Sequence, residues 1–111
     1  MSYSVETVSV FDRQAKRLAK KYLSLKADIQ LLVNELREQP ELGTAIGKNC
    51  YKVRLAIKSK GKGKSGGARV ITYVYVSAET VYLLSIYDKS EKGNLNEGEL
   101  DALLSELDSD Q

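Results

Sequence analysis

Cys50-Tyr-Lys-Val-Arg-Leu-Ala-Ile57 decides how this 111-residue chain is read. Tyr51, Val53, Leu55 and Ile57 alternate with Lys52 and Arg54, so an extended segment has one apolar face and one cationic face. A period of two predicts a strand buried on one side only. Outward from it, Ala68–Val76 and Thr80–Asp88 are two more β-prone runs, joined by a tight turn at Ser77-Ala78-Glu79. Lys58 to Gly67 is too rich in Gly, Lys and Ser for a strand interior and predicts a mobile hairpin loop. On the other side, Gly43 to Asn49 reads as a loop.

Toward the N-terminus, Ser4–Val10 reads as a short strand. Asp12 is placed to cap a helix. Phe11, Ala15, Leu18, Ala19 and Tyr22 follow at helical spacing, with Arg13, Lys16, Arg17, Lys20 and Lys21 on the opposite face. Ser24 is placed to cap a second helix with the stripe Leu25, Ile29, Leu32, Val33 and Leu36, ended by Pro40. The short Leu23-Ser24 connection predicts an antiparallel helical hairpin. At the other end, Asn96 with Glu99 resembles a capping box, and Leu100, Leu103, Leu104 and Leu107 stripe a final helix. Asp108–Gln111 are expected to fray. The order β-α-α-β-β-β-α predicts one α+β domain over residues 1–111, with the hairpin on one face of a mostly antiparallel four-stranded sheet. The other face is expected to be open and to carry Lys52, Arg54 and Arg69.

Composition narrows the chemistry. Hydrophobic residues at 42% and charged residues at 29% suit a soluble globular chain with one modest core. No apolar run approaches the ~20 residues of a membrane helix. Met1-Ser-Tyr-Ser-Val-Glu lacks the basic start and apolar stretch of a secretory signal, so a cytoplasmic location is expected. Cys50 is the only cysteine and there is no histidine. A zinc site needs several such ligands, and the commonest general base is missing. Catalysis would have to run on Lys, Arg, Tyr, Asp or Glu. Charge is also segregated. Leu42 to Ala78 contains no acidic residue, and Gly93 to the end contains no basic one. A basic middle suits a polyanion such as nucleic acid, although charge alone equally fits a solvated lysine-rich face.

Gly63-Lys64-Ser65 looks like the end of a phosphate-binding P-loop. The motif's first glycine position is occupied by Lys58, and a strand rather than a helix follows. Lys58, Lys60, Lys62 and Lys64 are better read as phosphate contacts on a loop. A second group, Lys52, Arg54, Arg69 and Lys89, lies on or at the end of strands of one sheet. Taken singly these are ordinary surface cations. Clustered without nearby acidic residues, they repel one another, and an anionic partner would relieve that.

Tyr51-Lys52-Val53-Arg54-Leu55, Gly63-Lys64-Ser65-Gly66-Gly67-Ala68-Arg69-Val70-Ile71 and Leu83-Leu84-Ser85-Ile86-Tyr87-Asp88-Lys89-Ser90-Glu91-Lys92 together resemble the RelE/HigB branch of the RelE/ParE toxin superfamily. The resemblance implies a type II toxin with a cognate antitoxin, entering the ribosomal A site and cutting mRNA there without metal or cofactor. It places the catalytic groups at Lys52, Arg54, Arg69 and Lys89. Some members carry a tyrosine after the last position; here the nearest aromatic is Tyr87, which either stacks on a base or belongs to the core. Lys92 joins the expected RNA contacts. The implied reaction is attack by a ribose 2′-hydroxyl on the adjacent phosphate, which DNA cannot undergo. Lys52 is the candidate base, because neighbouring cations disfavour an ammonium's charged form. Arg54 and Arg69 are charge clamps. Lys89 either protonates the leaving oxygen or adds charge. Two alternatives share the fold: a ParE-type gyrase inhibitor, and a non-catalytic nucleic-acid-binding module.

Overall fold

A computed structural model of the chain describes residues 2–110, with side chains through Leu107. The elements are β1 (Ser4–Thr7), α1 (Ser9–Lys21), α2 (Leu25–Glu38), β2 (Thr44–Gly47), β3 (Cys50–Leu55), β4 (Ala68–Tyr75), β5 (Thr80–Asp88) and α3 (Glu99–Asp110). The sheet runs β1-β5-β4-β3-β2, with β1 parallel to β5 and every other pair antiparallel. The α+β architecture with a helical hairpin is therefore as the sequence predicts, but the sheet has five strands instead of four.

The extra strand is β2, in the stretch read as a loop. Lys48 and Asn49 take φ of +57° and +62°. A two-residue connection with both residues at positive φ matches the twist of a tight hairpin. It folds Thr44–Gly47 back onto Cys50–Lys52. β2 is short and largely exposed, so it carries almost no alternation to detect.

Two helix starts also differ. β1 stops at Thr7, and α1 begins at Ser9 behind Val8, which caps without a side-chain bond. Asp12 lies in the first turn, where its charge complements the helix dipole. Ser24 occupies the N-cap position of α2 as expected but makes no side-chain cap bond, because its hydroxyl donates to the Asp28 carboxylate at 2.7 Å. At the third helix, Glu99 accepts the Asn96 N–H at 2.8 Å, which is half of the expected capping box. The expected fraying over Asp108–Gln111 falls on side chains, and on a terminal residue, outside the described residues.

Both faces of the sheet are occupied. Val53, Leu55, Val70 and Ile86 share one face through their register and join Leu18, Leu25, Leu32 and Leu36 in the core. Each such buried side chain is worth roughly 1.5–3 kcal/mol. Gln14 of α1 protects the β5 edge beyond β1, accepting the Ile86 N–H at 2.9 Å. The second face is not open as expected. Ile71 on that face is fully buried, and Leu103 and Leu107 of α3 are buried as well. The leucine stripe of α3 needs an apolar surface, and this face supplies it. No helix among the described residues is long and apolar enough to cross a membrane.

Candidate active site

Register brings the predicted cations together. Arg54 lies directly opposite Arg69, and Arg69 directly opposite Tyr87; Lys52 is in the next row, opposite Ile71. Lys52, Arg54 and Arg69 therefore share the second face. Like charges directly opposite one another destabilise a sheet. Here the two arginines diverge. Arg54 is exposed and, among the described residues, makes no ion pair. Arg69 is 5% exposed and turns back into the protein. Its guanidinium donates to the carbonyls of Lys64 and Ala68 at 3.1 Å and of Ser65 at 3.3 Å. Backbone carbonyl dipoles thus absorb the buried charge.

A cleft of about 230 Å³ opens beside this row, lined by Lys52, Arg54, Lys64, Glu35, Leu42 and Thr44. Three cations converge on it from β3 and from the loop before β4. Lys52 is half-buried and donates to Asn94 Oδ1 at 3.1 Å. Lys89 lies beyond the end of β5 and reaches the Gly93 carbonyl at 3.4 Å. Lys92 donates to both Glu99 oxygens, at 2.6 and 2.7 Å, and its Nζ sits 5.8 Å over the Tyr87 ring. Burial would raise the Glu99 carboxyl, but the Lys92 hydrogen bond and the Asn96 N–H outweigh it and hold it below its ordinary value. Tyr87 is buried, and its hydroxyl has no hydrogen-bond partner among the described residues. Burial pushes the phenol up, Arg69 opposes this and Glu99 adds to it. Tyr87 is thus a core tyrosine here; stacking on a base would require Lys92 to swing off its ring.

The basic loop divides as well. Lys58, Lys62 and Lys64 are exposed, and among the described residues they make no ion pair. Lys60 points inward. Its Nζ donates to Asp88 Oδ1 at 2.7 Å and lies 5.3 Å over the Tyr22 ring. Burial works against the Lys60 charge, but the hydrogen bond and charge of Asp88 prevail and its pKa is raised. Burial would likewise raise Asp88, but Lys60, Tyr22 and Ser90 hold it far below the usual carboxylate range. The loop is also not uniformly mobile. Lys58–Lys60 is a single 3-10 turn ended by Gly61 at φ +72°. Gly67 passes so close to β3 that a Cβ there would meet the Leu55 carbonyl at 2.1 Å. Cys50 is buried, and its thiol is pushed up to about 11 by burial against the opposing charge of Lys48. It is a packing residue with no nucleophilic character.

Four residues at this site escaped the sequence reading: Asp28, Asp88, Asn94 and Glu99. Asp28 had a signal, since it stands within the apolar stripe between Leu25 and Leu32. Asp88 had a weaker one, as a carboxylate closing an otherwise apolar strand. Asn94 had none, because its partner Lys52 is far away in sequence. The sequence marks Glu99 only as part of a helix cap.

A family model described as the RelE toxin of the RelE/RelB toxin–antitoxin system matches residues 8–108. The backbone is similar to a chain of the toxin–antitoxin complex RelBE2 from Mycobacterium tuberculosis, with a TM-score of 0.59 and 17% identity over 79% of this chain and 92% of that one. It is similar to an E. coli RelE double mutant in the free state, with a TM-score of 0.57 and 18% identity over 96% and 94% of the two chains. For the isolated E. coli RelE toxin the values are 0.56 and 20%, over 94% and 98%. Such identities speak for the fold, while the family model spans nearly the whole chain. The chain belongs to the RelE toxin family of RelE/RelB toxin–antitoxin systems.

Proposed function

We propose that this protein is a ribosome-dependent mRNA endoribonuclease, the toxin of a type II toxin–antitoxin pair acting in the cytoplasm. The observation that carries the reading is the cleft in which Lys52, Arg54 and Lys64 converge on the sheet of a RelE-family fold. Arg54 is the phosphate clamp, because it is exposed and, among the described residues, forms no ion pair, although Glu35 lines the same cleft. Lys52 takes the proton from the 2′-hydroxyl as that oxygen attacks phosphorus. The bond from phosphorus to the 5′-oxygen breaks, and Lys89 supplies the proton to that oxygen. The products are a 2′,3′-cyclic phosphate and a 5′-hydroxyl. Arg69 adds charge from beneath and, through the Lys64 and Ser65 carbonyls, shapes the loop above the cleft. Lys58, Lys62 and Lys64 contact phosphates along the strand.

Lysine is a modest acid–base catalyst near neutral pH, so much of the rate must come from holding the RNA in line. The ribosomal A site supplies that alignment, and free RNA is expected to be cut poorly. An antitoxin is the second partner, and a segment rich in Asp and Glu would complement the cleft, where three cations outnumber the single carboxylate of Glu35.

In vitro translation followed by primer extension tests this reading. Cuts within codons that require ribosomes, and that vanish in Lys52→Ala and Arg54→Ala, are the expected result. Intact mRNA with DNA damage would replace the nuclease with a gyrase poison. Salt-sensitive RNA binding without cleavage would reduce the protein to a binding module. Rapid cleavage of naked RNA would overturn the ribosome dependence.

A further inference from the structure

The lysine loop begins on two buried carboxylates. Asp28 of α2 is 2% exposed and Asp88 at the end of β5 is fully buried. Asp28 Oδ2 accepts the Lys58 backbone N–H at 3.1 Å and the Ser24 hydroxyl at 2.7 Å. Ser24 Oγ in turn accepts the Ser59 N–H at 2.8 Å. Asp88 accepts Lys60 Nζ at 2.7 Å, the Tyr22 hydroxyl at 2.6 Å, and the Ser90 N–H and hydroxyl at 3.0 and 2.8 Å. Three consecutive loop residues are therefore tied to the helical hairpin and to the segment that carries Lys89.

These contacts are not explained by stability alone. Burying an ion pair costs desolvation that its attraction does little more than repay, and apolar replacements of similar volume are often as stable. What the pair does supply is direction. Asp88 precedes Lys89, and its backbone carbonyl accepts the N–H groups of Glu91 and Lys92 at 3.0 Å. The Lys89 N–H donates to the Gly67 carbonyl, at the other end of the loop. A single carboxylate thus ties the start of the loop to the turn holding Lys89, while Arg69 ties Lys64 and Ser65 to β4. Between the two anchors lie Gly61, Lys62 and Gly63.

We propose that Asp28 and Asp88 are positioning residues: they clamp the Lys58–Lys60 turn so that Lys64, with Lys62 beside it on the loop, stands at a fixed place over the cleft that Arg54 also lines. This rests on the nuclease reading above. Neither carboxylate touches RNA. Their effect reaches the reaction through loop geometry, and so it falls on turnover of bound substrate more than on capture of it.

The test uses the full chain on programmed ribosomes. It compares Lys60→Met/Asp88→Leu, which replaces the pair by apolar groups, with Lys60→Arg, which keeps the pair, and with Lys62→Ala/Lys64→Ala. Thermal unfolding confirms that each is folded, and backbone hydrogen exchange reports the order of residues 58–60. The apolar pair is expected to speed exchange at Ser59 and Lys60 and to slow single-turnover cleavage at saturating ribosomes on the order of 10- to 100-fold. Lys60→Arg should restore most of the rate. Lys62→Ala/Lys64→Ala should instead raise the half-saturating ribosome concentration and flatten its salt dependence. A folded apolar pair with unchanged exchange and unchanged rate would overturn the clamp. Should that variant fail to fold, Ser24→Ala, which removes the Ser59 N–H anchor and the hydroxyl bond to Asp28, takes its place with the same readouts. Loss of the nuclease reading is seen separately: the wild-type protein would then leave mRNA on programmed ribosomes intact, while the exchange readout still scores the clamp.

Discussion

Against the helical hairpin the sheet presents Val53, Leu55, Val70 and Ile86; against α3 it presents Lys52, Arg69, Ile71 and Tyr87. The first face is held by apolar burial, which is non-directional and nearly indifferent to salt. The second combines Leu103 and Leu107 with polar ties: Lys92 to Glu99, Lys48 to Asp101 and Lys52 to Asn94. Of these, the Lys48–Asp101 pair is largely exposed, and such pairs add little. One side of the molecule is thus a durable scaffold. The other gathers the chemistry under a lightly attached helix, and local openings are drawn from such regions.

The scaffold side should show the largest effect. Leu36→Ala leaves a cavity at a fully buried position and is expected to cost about 2–5 kcal/mol in denaturant unfolding. Leu103→Ala, on the α3 side, should cost less by about 1 kcal/mol or more, because that helix can adjust. Equal losses would break the comparison. The paired arginines sharpen it. Arg54→Ala should leave stability within about 0.5 kcal/mol yet slow cleavage by roughly 10²–10³. Arg69→Ala should also abolish growth arrest, but with about 1–3 kcal/mol of lost stability, because three hydrogen bonds from a buried cation disappear. A fully toxic, well-folded Arg69→Ala would remove that residue from the site.

Alternation in Cys50–Ile57 placed Lys52 and Arg54 on one face correctly, because a strand's period is a local property. Arg69 was placed on the same face by the same rule. That it turns inward was not readable, since its acceptors are backbone carbonyls of a loop whose shape depends on the whole fold. Composition groups Lys60 with Lys58, Lys62 and Lys64; the difference lies in Asp88, which is distant in sequence and meets it only in three dimensions. β2 went unseen because a four-residue exposed strand depends on its partner and carries too little pattern of its own. The covering of the second face by α3 was implicit in the stripe Leu100, Leu103, Leu104 and Leu107, which must bury somewhere.

The smallest expected effect belongs to the tie between α3 and the cationic side. Glu99 sits in the folded protein below its ordinary value of 4.5, chiefly because the Lys92 hydrogen bond outweighs burial. A depressed carboxylate contributes stability that is complete above its unfolded pKa and is lost as pH falls through the folded one. The contribution should therefore hold above about pH 4.5 and fade below it. Glu99→Gln is expected to cost about 0.3–1 kcal/mol at pH 7, where the wild-type pair is ionised. At pH below the folded value the difference from wild type should shrink toward zero. Asp88 follows the same sign from an ordinary value of 3.8 but is held further down, so its clamp outlasts the α3 tie on acidification. Hydrogen exchange in α3 should consequently rise at mildly acid pH, before exchange at residues 58–60 does. The reverse order, or a Glu99→Gln penalty that is the same at pH 3 and pH 7, would mean that α3 is held by its leucines alone.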